Sequence, residues 1–172
     1  MKRNVEIKAR AADPATIRER AERLSGGPPV ILKQDDTFFH CRRGRLKLRV
    51  LSDREAELIQ YERPDTLEPV ECRYTVCPCA DPALLLEALS GALGVRGRVR
   101  KVRSLYLVGT TRIHVDEVQG LGSFVELEVV LADGQSRDEG ERTAREIMRA
   151  LGIENRDLLE SAYIDLLERK SG

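Results

Sequence analysis

The 172-residue chain has no C-x-x-C pair among its four cysteines, no histidine pair at zinc spacing, no apolar run of bilayer length and no net charge. Each absence removes a class of function. Cys41, Cys72, Cys77 and Cys79 form no zinc-binding pattern, so free thiols are expected. Spanning a bilayer takes about 20 apolar residues. No stretch approaches that, and the N-terminal segment is basic and strand-like rather than an apolar leader, so no membrane association is expected and the cytoplasm is the expected compartment. With 29 Lys plus Arg against 29 Asp plus Glu, no overall field draws the molecule to nucleic acid. Any anion site has to be local. There is no internal repeat or low-complexity tract, and the length suits one domain over residues 1–172.

What is present is alternation. Val5 to Arg10 switches between apolar and charged residues with the period of a strand. Asp13-Pro14 then supplies a cap and a first-turn proline for a helix carrying Ile17, Ala21 and Leu24, stopped by Ser25-Gly26-Gly27. Strands are expected over roughly 33–41, 45–51, 57–63 and 70–77, and a leucine-rich helix over 83–93 opens at Asp81-Pro82. Three more strands follow, from Val95 or Arg98 to Val108, over 112–118 and over 124–131; helices over 136–151 and 155–167 close the chain. Connections this short favour antiparallel pairing, hence an α+β domain. About eight strands can close into a small antiparallel β-barrel with outer helices, which leaves no sheet edge exposed.

The strands are sharply two-sided. Val5, Ile7 and Ala9 oppose Glu6, Lys8 and Arg10; Leu46, Leu48 and Val50 oppose Arg45, Lys47 and Arg49. Ile113 and Val115 oppose Arg112, His114 and Asp116, and Val125, Leu127 and Val129 oppose Glu126 and Glu128. A single such strand fits an ordinary sheet with one face in water. Four of them, with cations gathered on some and carboxylates on others, fit a closed barrel whose apolar faces meet the helices and whose charged faces converge inside. Buried charges cost several kcal/mol each unless they compensate one another or meet a ligand, and a metal-bound polyanion meets both signs of charge.

The motifs that carry these faces resemble the CYTH domain family, which includes class IV adenylate cyclases, thiamine triphosphatases and inorganic triphosphatases. The family's E-x-E-x-K signature is matched by Asn4-Val5-Glu6-Ile7-Lys8, with the first Glu replaced. Gln34 to Phe39, Gly44 to Arg49, Tyr61-Glu62-Arg63-Pro64, Arg100 to Arg103, Arg112 to Asp116 and Glu126-Leu127-Glu128 follow in the expected order, and Ser161 to Asp165 is similar to the tail of the class IV cyclase-like branch. The resemblance implies an eight-stranded triphosphate tunnel holding a triphosphate-containing small molecule with Mg²⁺ or Mn²⁺. It implies Glu6, Glu126 and Glu128 as metal ligands, and Glu6, Lys8 and Asp116 as catalytic groups. Arg45, Lys47, Arg49, Arg63, Lys101, Arg103 and Arg112 would hold phosphate oxygens.

Asn4 lowers the acidic charge at the implied metal site, which leaves hydrolysis, ATP cyclisation and binding without turnover all open. RNA binding through the 96–103 segment is disfavoured by the balanced charge and the lack of a stacking motif. His114 shares a face with Arg112 and Asp116 but is set outside the catalytic group, and Phe38, Phe39 and Tyr106 are read as core rather than as a base-stacking site.

Overall fold

The structure, a computed structural model, describes residues 2–171, the side chain of Ser171 apart. Eight strands form a closed antiparallel barrel in the order β1-β5-β4-β3-β2-β6-β7-β8. They are β1 (Lys2–Arg10), β2 (Val30–Phe39), β3 (Arg45–Ser52), β4 (Glu55–Glu62), β5 (Val70–Cys79), β6 (Val95–Val108), β7 (Thr111–Val118) and β8 (Gly122–Val130). Helices α1 (Pro14–Ser25), α2 (Pro82–Leu93), α3 (Arg137–Leu151) and α4 (Tyr163–Ser171) complete the fold. Among the described residues no helix is long and apolar enough to cross a membrane.

The apolar faces point outward onto the helices. Ile7, Ala9, Ile113, Val115, Val125 and Leu127 pack with Ile17 and Ala21 of α1 and with Met148 and Leu151 of α3. Val5 and Val129 pack on Ala144. Phe39, Leu48 and Ala56 take the leucines of α2, which lies shallowly and leaves Leu84 exposed. The caps follow local chemistry: the Asp13 and Asp81 side chains accept from the backbone N–H groups of Thr16 and Leu84, and Ser136 with Glu139 forms a reciprocal capping box on α3.

One expected element is different. Residues 155–167 do not form a single helix: a 3-10 turn over Asn155–Asp157 gives way to extended chain before α4. The cause is a seam in the barrel. β1 pairs with β5 only from Lys2 to Glu6, which leaves the end of β1 without its second neighbour. The extended segment fills that place: Leu158 bridges Ala9, and the Leu159 N–H donates to the Lys8 carbonyl at 2.8 Å. Satisfying these β1 groups outweighs local helix propensity.

Candidate functional site: a charged cavity inside the barrel

Parity along the closed strands sends one side chain in two to the interior. Glu6, Lys8, Lys47, Arg49, Arg103, Glu126 and Glu128 all line one cavity of about 380 Å³. Arg63, Lys101, Arg112, Asn4, Gln34, Asp36, Tyr74, His114 and Tyr163 share its wall. The lining carries eight basic and five acidic side chains, so a chain without net charge nevertheless concentrates positive charge at one place.

The cavity is a cup. At one end Phe38, Val99 and Phe124 pack against Ala162, Tyr163 and Ile164, where the chain enters α4. The Tyr163 ring lies 5.0 Å from that of Phe124 and under the Lys8 ammonium, 3.6 Å from its centroid. Gly97 of β6 lies against this closure, where a Cβ would push the Ile164 Cδ1 methyl aside. Around the opposite rim stand Lys2, Tyr74 and Arg112.

Ion pairs hold the interior in register. Asp36 takes Lys47 and Arg49, each at 2.8 Å. Burial opposes ionisation of Asp36, but those two cations outweigh it and hold the carboxyl far below the usual range. Asp116, fully buried, takes Lys101 at 2.9 Å, Arg103 at 2.6 Å and the Tyr163 hydroxyl at 3.1 Å. Burial lowers Lys101 to about 7, helped by the neighbouring Arg103 charge, and burial also lowers Lys8, with Lys101 adding to the effect. Burial raises Glu6, and the Glu128 charge across the β1–β8 ladder raises it further. For Glu128 itself burial is outweighed by the groups around it, His114 first and then Arg103 and Arg112, and its carboxyl falls to about 2.

Register brings the acidic groups together. His114 stands opposite Glu126, and Arg112 opposite Glu128, across the β7–β8 ladder. The His114, Glu126 and Glu128 donor atoms all lie within 4.8 Å of one another. Glu126 is bonded to Lys8 and Arg103; Arg112 reaches Glu128 at 3.2 Å. Several buried polar atoms around this cavity have no hydrogen-bond partner: Asn4 Oδ1, Gln34 Oε1, Tyr74 Oη, His114 Nδ1 and Arg63 Nη2. Buried polar groups are rarely left unmet, and five around one cavity offer hydrogen bonds to whatever fills it, water or a ligand. Two carboxylates with an imidazole nitrogen beside them are a donor set that fits a divalent ion.

Two expected site residues lie elsewhere. Arg45 does not line the cavity; Asp65 at 2.9 Å and Asp165 at 2.8 Å hold it near the start of α4. Asp116 sits behind the wall, its oxygens committed to Lys101, Arg103 and Tyr163. Glu6 lines the cavity but falls outside the His114–Glu126–Glu128 group and lies 2.7 Å from Arg63 Nε. Sequence reasoning missed Tyr163, because it comes from the segment expected to be mid-helix, and undervalued His114, although its parity with Arg112 already placed it inside. Phe38 lines the cavity, whereas Phe39 and Tyr106 face the outer helices.

Comparison with known proteins agrees with this geometry. A candidate adenylate cyclase of Methanocaldococcus jannaschii is 25% identical over 94% of this chain and 97% of its own length. A Pyrococcus horikoshii protein of solved structure superposes with a TM-score of 0.84 at 23% identity, covering 95% of this chain and 98% of its own. A candidate adenylyl cyclase from Hippeastrum, described as having a dominant triphosphatase activity, superposes with a TM-score of 0.67 at 19% identity, over 98% and 96% of the two chains. The CYTH domain profile matches residues 2–163, the whole barrel and the start of its closing helix, and the chain therefore belongs to the CYTH domain family.

Proposed function

We propose that this protein is a divalent-metal-dependent phosphohydrolase acting on a triphosphate-containing small molecule: inorganic triphosphate, thiamine triphosphate or a nucleoside triphosphate. The observation that carries this reading is the positively biased cavity whose polar wall atoms lack partners. Lys8, Lys47, Arg49, Arg63, Lys101, Arg103 and Arg112 hold phosphate oxygens, and the planar guanidinium groups bind them two at a time. Glu126 and Glu128, with Glu6 close by, hold Mg²⁺ or Mn²⁺, which when bound neutralises phosphate charge and orients the chain for in-line attack. Glu6, made more basic by burial and by Glu128, takes the proton of the attacking water. Asp116 and Arg45 act as positioning residues, the first by holding Lys101 and Arg103, the second by anchoring the start of α4.

A second reading, cyclisation of ATP to cAMP and pyrophosphate, is favoured by the name of the Methanocaldococcus jannaschii relative. It uses the same groups and differs in aligning a ribose hydroxyl, rather than water, with phosphorus. Incubation of the pure protein with triphosphate, thiamine triphosphate and ATP, each with Mg²⁺ or Mn²⁺, followed by chromatography of the products, separates the readings. Orthophosphate supports hydrolysis and cAMP supports cyclisation. Failure of all three compounds to bind overturns both.

A further inference from the structure

We infer that His114 is a ligand of the metal held by Glu126 and Glu128, and that this mixed nitrogen–oxygen site selects a first-row transition ion over Mg²⁺. The inference rests on the proposed metal-binding role of those two glutamates and adds to it the donor that sets ion preference.

His114 is only 3% exposed, yet its Nδ1 has no hydrogen-bond partner. The nearest carboxylate oxygens, Glu126 Oε2 and Glu128 Oε1, are both 3.7 Å away, beyond hydrogen-bond reach. A buried imidazole nitrogen left unmet costs about 1–3 kcal/mol. The equal spacing gives that cost a purpose. Metal–nitrogen and metal–oxygen bonds of about 2.1 Å span a separation of this size at a wide ligand–metal–ligand angle, so an ion can bridge His114 to either carboxylate, and the three donor atoms, all within 4.8 Å of one another, need only a small adjustment to share it. The backbone enforces the grouping, because His114 and Glu126 are ladder partners and Glu128 is the next inward residue on β8.

The remaining bonds fit an exchange of partners. Arg112 engages Glu128 through Oε2, leaving Oε1 turned toward His114. Lys8 and Arg103 both bond Glu126. An ion placed among the three donors takes over neutralisation of Glu126 and frees Lys8 and Arg103 to meet phosphate oxygens. Asn4 lines the same cavity with an unpartnered amide oxygen, so the available donors combine two anionic carboxylates with neutral groups.

Ion choice follows from donor type. Mg²⁺ prefers oxygen ligands and sheds water reluctantly, whereas imidazole nitrogen favours Mn²⁺, Co²⁺ and Zn²⁺ increasingly along the first-row order. Mn²⁺ is a usable probe because it is paramagnetic and still tolerates oxygen-rich sites.

The test is pulsed electron paramagnetic resonance on the whole protein loaded with Mn²⁺, with Mg²⁺ competition followed by the same signal. A ¹⁴N coupling from a directly bound imidazole is expected in the parent, together with displacement of Mn²⁺ only by Mg²⁺ in more than about tenfold excess. In His114→Gln, checked for folding by its melting curve, the coupling is expected to vanish and Mn²⁺ affinity to fall about tenfold or more. Because the parent spectrum alone decides ligation, a poorly folded variant does not shelter the idea. Mn²⁺ bound without nitrogen coupling, or displaced by equimolar Mg²⁺, overturns the inference and leaves the proposed function standing. Absence of any Mn²⁺ binding, together with absence of triphosphate binding, brings down both.

Discussion

The Tyr163 hydroxyl donates to Asp116 at 3.1 Å while the same carboxylate holds Lys101 and Arg103, so one buried charge ties α4 to two cations of the barrel wall. Asp116→Asn leaves Lys101 buried without its counter-charge and Arg103 with Glu126 alone, at a cost of about 3–5 kcal/mol. A large drop in urea midpoint with an unchanged slope is expected. A variant within about 0.5 kcal/mol of the parent contradicts the role given to Asp116.

Triphosphate is expected to stabilise the protein by about 2.7 kcal/mol at a hundredfold excess over its dissociation constant, raising the melting temperature by several degrees. Adenosine or thiamine, which bring no phosphate, should shift it little. Added salt and the double change Lys47→Ala with Arg49→Ala should both shrink the shift. Thermal melts check this, and an adenosine shift as large as that from triphosphate counts against phosphate-led recognition.

Lys101 is expected to give the proposed polyanion binding a pH dependence. Its pKa of about 7 lies below the ordinary 10.5, so between these values the unfolded chain holds a proton that the folded protein has released. Stability from this group therefore rises with pH over that interval, while affinity for a polyanion falls, since a bound phosphate favours the charged amine. Calorimetry near pH 8.5 in two buffers of different ionisation enthalpy should reveal proton uptake on triphosphate binding. Identical heats in the two buffers rule this out.

Glu128→Gln removes the charge of a proposed metal ligand and is expected to abolish metal-dependent turnover while leaving the barrel folded. Circular dichroism and a product assay on one preparation decide it. Turnover at the parent rate excludes Glu128 from the metal site.

Gly44, between β2 and β3, has φ +64°, and a Cβ there would press on the Tyr61 carbonyl. Gly44→Ala is expected to cost about 1–3 kcal/mol, visible as a lower melting temperature. An unchanged melt shows that the loop relaxes freely.

Much of this was legible in the chain. Two-sided alternation on β1, β3, β7 and β8 is enough to place Glu6, Lys47, His114 and Glu128 inside a closed barrel, because parity survives any uncertainty in strand ends. The Asp13-Pro14 and Asp81-Pro82 pairs mark helix starts for reasons confined to one turn. What alternation does not carry is depth along the barrel axis. Arg45 has the same parity as Lys47 yet sits two residues nearer the closed end, where Asp65 and Asp165 claim it. Asp116 likewise shares a face with His114 but lies one step behind the wall. The seam between β1 and β5 is a long-range shortage of backbone partners, and no local pattern in 155–167 announces that the segment is needed there.

The floor laid by Tyr163 stops the barrel at the end where α4 begins, so a guest is expected to enter from the other side. A linear guest that enters there would meet the floor with its leading end, and recognition of this kind would measure a chain from its tip.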